Sequence, residues 1–431
     1  MIPDYLHSDD GLGYDDVRPT PPAAIERLPG GGYAYTLRQD AVRIEARYLR
    51  RDHGSLHAEV DVQCEWIGAA RHGKSLSCAD LNLSSQTARR SLAKHCAERS
   101  KTKADDGFDW MAAIDGACLE VIRAERQGDD VMVLDDAPDH QERTVDVLGL
   151  HLPVDAVSLL IAHGDSLKSL LCLYVLGTLA RRGMPCLYLD WEWTAGRHKA
   201  RKVRLFGPER LPHLHYLRCT GPLTIEHDRI RRYCDQHSIR FLVVDSVGLA
   251  CDGKLSDDDT AVRFYRALGT LPPALAAAHV PKSSLSPDAK GDAVGPFGSV
   301  FFSNLARMTW LVKKQPGSDG DTATVGLFPQ KQNDGERQRP VGLTFSFTSD
   351  QITVQPANLA DVEGLAEKLP LSARIAHLVK DRPLSFAEVA AELDAKTDSV
   401  IKAVTRNTRT FTRIAGADGI ARIALVERRT A

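Results

Sequence analysis

Two stretches of the chain place a lysine and a serine behind a glycine-bearing loop, the chemistry of phosphate binding. Residues 68–75 read GAARHGKS, glycine, four residues, then Gly-Lys-Ser, a letter-perfect match to a phosphate-binding loop. Residues 162–169 read AHGDSLKS and match it badly: Ala162 takes the first glycine position, Leu167 stands directly before the lysine, and only Gly164 remains within the loop. The letters alone do not decide between them. Backbone N–H groups must curl around the phosphate, a helix must start at the lysine so that its dipole faces the anion, and a buried strand must deliver the loop. GAARHGKS is followed by LSCADLNL, which alternates like a strand, and no helix signal begins before Ser84. It is expected to be a turn between two strands, with Gly68 and Gly73 serving the turn.

AHGDSLKS follows the apolar run VSLLIA and precedes a helical pattern that starts at Lys168 and ends at Gly183. Gly164, Asp165, Ser166 and Leu167 would then form the loop around ATP. Lys168 would reach the β- and γ-phosphates and the Ser169 hydroxyl would hold Mg²⁺. A leucine at 167 is expected to require ordinary backbone dihedrals there. FLVVDS (241–246) is an apolar strand pattern ending in Asp245, which suits the Mg²⁺ shell, although an aspartate at a strand end is by default a cap or turn residue. CLYLDWEW (186–193) offers Glu192 as general base for the attacking water, with Asp190 as its close competitor.

The elements that must position these residues follow from texture. Residues 1–32 (rich in Asp, Pro and Gly) read as a flexible arm and 33–127 as a small α+β domain. Its strands are AVRIEARYL and HAEVDVQCEWI; its helices span 83–99, with Ser84 or Ser85 as N-cap, and 108–126. Residues 128–145 read as a linker. From 146 to 355, short continuous apolar runs alternate with helical segments, the signature of a buried parallel sheet with βαβ crossovers. RMTWLVKKQ, TATVGLFPQ and VGLTFSFTS would add antiparallel strands at one edge. Residues 356–370 read as a second linker. Residues 371–431 show three short helices and a hairpin, a winged helix-turn-helix pattern.

In order, the pieces resemble a RecA-like P-loop ATPase core of the RepA/DnaB-type hexameric helicase superfamily, over about residues 150–350. The resemblance implies an α/β fold, DNA as a partner, and a homo-oligomer, expected to be a hexamer. His279 and Lys282 in AAAHVPKS fall on that family's polar sensor pattern. The Gly-rich segment after it, including Lys290, resembles a DNA-facing loop for single strands, and Arg307 falls where the family often carries arginine. Lys331 in FPQKQNDG matches a lysine that reaches the neighbouring subunit's γ-phosphate, with Asn333 where DnaB-type members have arginine. No family motif identifies residues 33–127.

In the winged-helix pattern, KTDSVIKAVTRNTR is the recognition helix, and Lys402, Arg406 and Arg409 would meet the phosphates of duplex DNA. Arg406 and Arg409, three apart, would share a face. Such modules also bind proteins. RHKARKVR (197–204) is a second basic stretch, whose plain reading is a solvated helix face. Over 431 residues the formal net charge is −2, so no uniformly basic coat is present. No apolar run approaches the ~18 residues of a membrane span and the N-terminus is polar, so a cytoplasmic protein is expected. The nine cysteines show no CxxC and no spacing that suits zinc, which fits buried reduced thiols. The expected function is an ATP-hydrolysing motor on DNA. The alternative is a catalytically weakened, nucleotide-dependent DNA-binding or assembly scaffold or regulator, which Ala162 and Leu167 favour.

Overall fold

A computed structural model describes residues 24–28, 31–37, 41–65, 75–100, 108–128, 131–137, 143–280, 296–316, 320–333, 338–416 and 418–426. They fall into two compact units, 1–139 and 140–431.

The first unit is an antiparallel meander of five strands in the order β1 (Ala24–Arg27), β2 (Tyr33–Leu37), β3 (Val42–Asp52), β4 (Ser55–Cys64) and β5 (Ser75–Asn82), followed by helices α1 (Gln86–Arg99) and α2 (Trp110–Gln127). Strict alternation along β4 buries Leu56, Ala58, Val60, Val62 and Cys64, and α2 covers that face with Trp110, Ile114, Ala117 and Val121. Ser85 is the N-cap of α1, its hydroxyl accepting from the N–H of Ala88 at 3.3 Å. Within the segment expected to be a loose arm, Ala24–Arg27 pairs in register with β2 and is an edge strand. Residues 68–74 of GAARHGKS lie outside the described residues. Ser75 begins β5, which pairs antiparallel with β4, and its hydroxyl donates to Asp61 Oδ1 at 2.6 Å. The serine of the perfect pattern therefore opens a strand and not a helix.

The second unit begins with a hairpin, β6 (Thr144–Val147) and β7 (Leu150–Pro153), whose first strand starts inside the segment expected to be a linker. The core then runs β8 (Ser158–Ala162), α3 (Lys168–Arg181), β9 (Cys186–Asp190), α4 (Ala195–Phe206), β10 (Leu214–Arg218), α5 (Leu223–His237), β11 (Phe241–Asp245), α6 (Val247–Ala250), α7 (Asp258–Leu268), β12 (Ala274–His279), α8 (Phe301–Leu305), β13 (Met308–Lys314), β14 (Thr322–Gln332), β15 (Val341–Phe347) and β16 (Ile352–Ala357). The nine strands lie in the order β10-β9-β11-β12-β8-β13-β14-β15-β16. The first six are parallel and the last three antiparallel. This is a mixed α/β core with a large, mainly parallel sheet, the arrangement expected of the central domain. Every residue of β8, β9 and β11 is buried, because helices cover both faces.

The segment expected to be a second linker is packed onto this core. Leu359 and Leu365 are buried in it, with Val362 and Leu369 against them. Leu359 opens a 3₁₀ turn at 359–361, and Leu365 and Leu369 flank a second at 366–368.

The chain ends in α9 (Leu371–Leu378), β17 (Leu384–Ser385), α10 (Phe386–Glu392), α11 (Thr397–Arg406), β18 (Phe411–Ala415) and β19 (Ala421–Leu425), with sheet order β17-β19-β18. Ser385 and Glu388 form a capping box at α10. Ile375, Val389, Val400 and Ile423 close a separate small core.

Candidate functional site

The site assembles at the C-terminal edge of the parallel strands, where βαβ architecture places loops and helix N-termini. β8 delivers the loop 163–167, and α3 starts at Lys168. The Ser166 hydroxyl donates to the carbonyl of His163 at 2.7 Å, closing the loop on itself. Asp165 and Leu167 both have φ of +59°, in the left-handed region. The expectation of ordinary dihedrals at Leu167 is thus corrected. A loop that must turn its N–H groups inward ahead of the helix uses left-handed residues, and here they are not glycines.

The Lys168 ammonium is buried and donates to the carbonyl of Ala278 at 3.3 Å. Burial lowers its pKa, against the opposing pull of Asp245, Cys172 and Glu192. Asp245, at the end of β11, is buried. Its Oδ2 accepts from the Tyr188 hydroxyl at 2.6 Å, and its Oδ1 is buried with no hydrogen-bond partner. The same Tyr188 hydroxyl lies 3.4 Å from the carbonyl of Ser169. Glu192 is exposed beyond β9, and its Oε1 accepts from the Ser246 hydroxyl at 2.6 Å. His279 ends β12. Desolvation, then Lys168, lowers its pKa, while Glu192 and Asp245 partly offset the drop. Lys168, Glu192, Asp245 and His279 therefore share one electrostatic neighbourhood, although they come from four segments of chain.

Asp190 is not a free competitor for the role of base. Its Oδ1 accepts the N–H groups of Glu192 and Trp193, each at 2.9 Å, and its Oδ2 accepts from the Tyr216 hydroxyl at 2.8 Å. His198 Nε2 stands 3.3 Å from the same Oδ2. Burial alone would raise the carboxyl pKa, but hydrogen bonds from His198, Trp193, Tyr216 and Glu192 hold it well below the usual carboxylate range. Asp190 is an anchor that sets the strand-to-loop turn from which Glu192 projects.

Other candidates lie elsewhere. The Lys331 ammonium is held by the carbonyls of Ser303 at 2.9 Å, Asn304 at 2.6 Å and Ala306 at 2.7 Å, so it caps the end of α8 within its own chain. Lys282 and Lys290 lie outside the described residues. Lys402 and Arg406 are exposed one turn apart on α11. Arg409 does not share their helix. α11 ends at Arg406 because Asn407 turns back and donates to the carbonyl of Ala403 at 2.7 Å. Part of the basic stretch 197–204 is engaged within the core: Arg201 stacks on Trp193 at 3.9 Å and Lys202 donates to the carbonyl of Gly207 at 3.0 Å, while Arg197 and Lys199 are exposed. Tyr188 and Ser246 went unnoticed in the sequence. A tyrosine inside an apolar strand and a serine after an aspartate carry no pattern that separates them from core and turn residues.

Among the described residues, no group of three or more His, Cys, Asp or Glu side chains could chelate an ion alone. A single carboxylate with a buried, unpartnered oxygen, beside a serine at the start of a phosphate-loop helix, instead suits Mg²⁺ held jointly with phosphate oxygens. The residues present fit that ion. Among the described residues, no helix is long and apolar enough to cross a membrane.

No family model and no curated protein matches the chain. Among solved structures, a KaiC-like protein from the hyperthermophilic archaeon Pyrococcus horikoshii is similar at 13% identity and a TM-score of 0.39, over 50% of this chain and all of that one. A DnaB-like replicative helicase, solved with attention to its interactions with primase, is similar at 10% identity and a TM-score of 0.39. That match covers 46% of this chain and 58% of the helicase, so the chain spans little more than half of that protein's length. Likenesses this distant carry no functional argument; the fold and the site above rest on the chain's own strand order and side chains.

Proposed function

We propose that residues 146–355 are a RecA-like P-loop ATPase core that binds and hydrolyses Mg·ATP, and that the protein acts as a motor on DNA. The observation that carries this is the convergence of Lys168, Glu192 and Asp245 at one strand edge, with Asp245 Oδ1 buried and unpartnered. The N–H groups of residues 164–169 and the Lys168 ammonium would surround the phosphates. Ser169 and Asp245 would hold Mg²⁺, which when bound neutralises charge on the phosphoryl oxygens. Glu192, oriented by Ser246, accepts the proton of the water that attacks the γ-phosphorus as the bond to the bridging oxygen breaks. His279 would respond to the occupancy of the site.

Residues 371–425 have the element order of a winged helix, and Lys402 and Arg406 on α11 would meet duplex phosphates. Each contact would contribute about 0.9 to the slope of log affinity against log salt. Assembly into a homo-oligomer, expected to be a hexamer, with Lys331 reaching a neighbour's phosphate, requires Lys331 to leave its three carbonyls. A second reading, a weakened ATPase serving as a nucleotide-dependent scaffold or regulator, is favoured by the left-handed Asp165 and Leu167, whose side chains restrict the loop.

The test is phosphate release from Mg·ATP with and without single-stranded DNA, for the unsubstituted protein, Lys168→Ala and Lys74→Ala. DNA-stimulated release that disappears with Lys168→Ala and survives Lys74→Ala supports the motor. Nucleotide binding without release supports the scaffold. Loss with Lys74→Ala alone overturns the assignment of the loop.

A further inference from the structure

The geometry points to Tyr188 as a positioning residue for the metal half of the site, one that holds Asp245 by one carboxylate oxygen so that the other faces the divalent cation. The inference rests on the nucleotide-binding reading above and deepens it. Tyr188 lies on β9 opposite Val243 of β11, two residues before Asp245 on that strand. Its ring is fully buried in the cluster formed by α3 and the sheet, and lies 4.5 Å from the His198 ring.

From there the hydroxyl reaches the two residues that would share Mg²⁺. It donates its one proton to Asp245 Oδ2 at 2.6 Å and lies 3.4 Å from the backbone oxygen of Ser169. A hydroxyl has a single proton, and the shorter contact takes it. Asp245 is left with one oxygen satisfied and one buried and unpartnered. A carboxylate free to rotate could turn either oxygen to an ion; one held at Oδ2 presents Oδ1. Tyr188 touches neither substrate nor metal in this scheme, and its effect runs through Asp245.

Tyr188→Phe removes one oxygen and keeps the ring. Binding of a fluorescent ATP analogue is titrated with Mg²⁺ in the full chain, alongside binding in the presence of chelator, where loop 163–167 and Lys168 act without metal. The expected result is a rise of about tenfold or more in the Mg²⁺ concentration for half-maximal binding, the range for a lost hydrogen bond to a charged group. Metal-free binding should change by less than about twofold. Damage to the core as a whole would weaken both. In the Asp245→Asn background, Tyr188→Phe should add nothing, since the two act as a unit. An unshifted Mg²⁺ requirement, equal losses with and without metal, or additive losses in the double variant overturn the inference while leaving nucleotide binding standing. Absence of nucleotide binding by the unsubstituted protein overturns the functional reading, and this inference with it.

Discussion

Asp190 and Glu192 stand two residues apart, yet the structure gives them opposite surroundings, and isosteric amides test the separate roles proposed for them. Asp190 has no exposed surface and accepts from the Glu192 and Trp193 N–H groups and the Tyr216 hydroxyl, with His198 at 3.3 Å. Asparagine at 190 keeps one acceptor oxygen and turns an NH₂ group against donors. Two charge-assisted bonds, worth roughly 1.5–3 kcal/mol each, are lost or become clashes. Breaking such a buried network gives an expected destabilisation of about 3–5 kcal/mol, a large part of the ~5–15 kcal/mol that holds a typical domain. Glu192 is exposed, and its carboxylate accepts from the Ser246 hydroxyl, a bond that a glutamine oxygen also accepts. Glu192→Gln should therefore change stability by less than about 0.5 kcal/mol, leave nucleotide affinity intact and lower hydrolysis by about 10²–10⁴-fold. Urea unfolding followed by tryptophan fluorescence reads the first variant, since Trp191 and Trp193 flank Glu192, and phosphate release reads the second. A stable Asp190→Asn protein that binds nucleotide without hydrolysing it, beside a Glu192→Gln protein that turns over normally, would refute the reasoning and exchange the roles.

Acid should weaken the core in a defined direction. Asp190 is held below the usual carboxylate range, and so is Glu226: burial would raise the latter, but the N–H groups of Thr220 and Gly221 and the Arg229 guanidinium outweigh it. Carboxyls with depressed folded-state pKa values bind fewer protons folded than unfolded. Their stabilisation is complete above the ordinary values near ~4 and is lost as pH falls through the folded ones. Urea midpoints should hold steady from about pH 7 to 5 and fall below about pH 4, and Asp190→Asn should flatten that fall. Lys331→Ala uncovers three carbonyls at the end of α8, so it should lower the core's stability by about 1–3 kcal/mol even in dilute, monomeric protein. Loss of hydrolysis without loss of stability would instead place Lys331 at a neighbour's phosphate. Leu167→Gly exchanges a left-handed leucine, strained by about 1–2 kcal/mol, for a residue at ease there, at the expense of packing and unfolded-state entropy. Stability should stay within about 1 kcal/mol of the parent and nucleotide affinity should rise; a fall in affinity would show that the leucine itself holds the loop's shape.

The elements with local signals are readable from the chain. Continuous apolar runs locate β8, β9 and β11; alternation locates β3 and β4; a serine before a helical pattern marks the start of α1. What escapes is set by contacts between distant segments. LDWEW offers two carboxylates and no way to rank them, because the donors that occupy Asp190 come from β10 and α4 as well as from its own turn. Tyr188 reads as one more apolar-strand residue until β11 is laid beside β9. Lys331 carries a family pattern, but the carbonyls that hold it belong to residues 303–306. Leu359 and Leu365 read as linker residues because two short 3₁₀ turns carry too few positions to display a period.

The two stretches differ in the elements that follow them, whatever their letters. What binds an anion is a run of inward-facing N–H groups ahead of a helix N-terminus, and glycines are favoured there because left-handed residues are needed. The same backbone can be held by other means. At 163–167 the left-handed Leu167 packs its side chain against the core cluster, Ser166 ties its hydroxyl to His163, and Lys314 stands 3.5 Å from the Asp165 carboxylate. Those contacts can offset strain of roughly 1–2 kcal/mol per left-handed residue, because burial of much of a leucine side chain is worth about as much. GAARHGKS has the glycines but opens into β5, an edge strand that pairs antiparallel with β4 where a phosphate loop would lead into a helix. A sequence can therefore lose the glycines and keep a left-handed turn ahead of a helix, provided the strand before it and the helix after it stay in place.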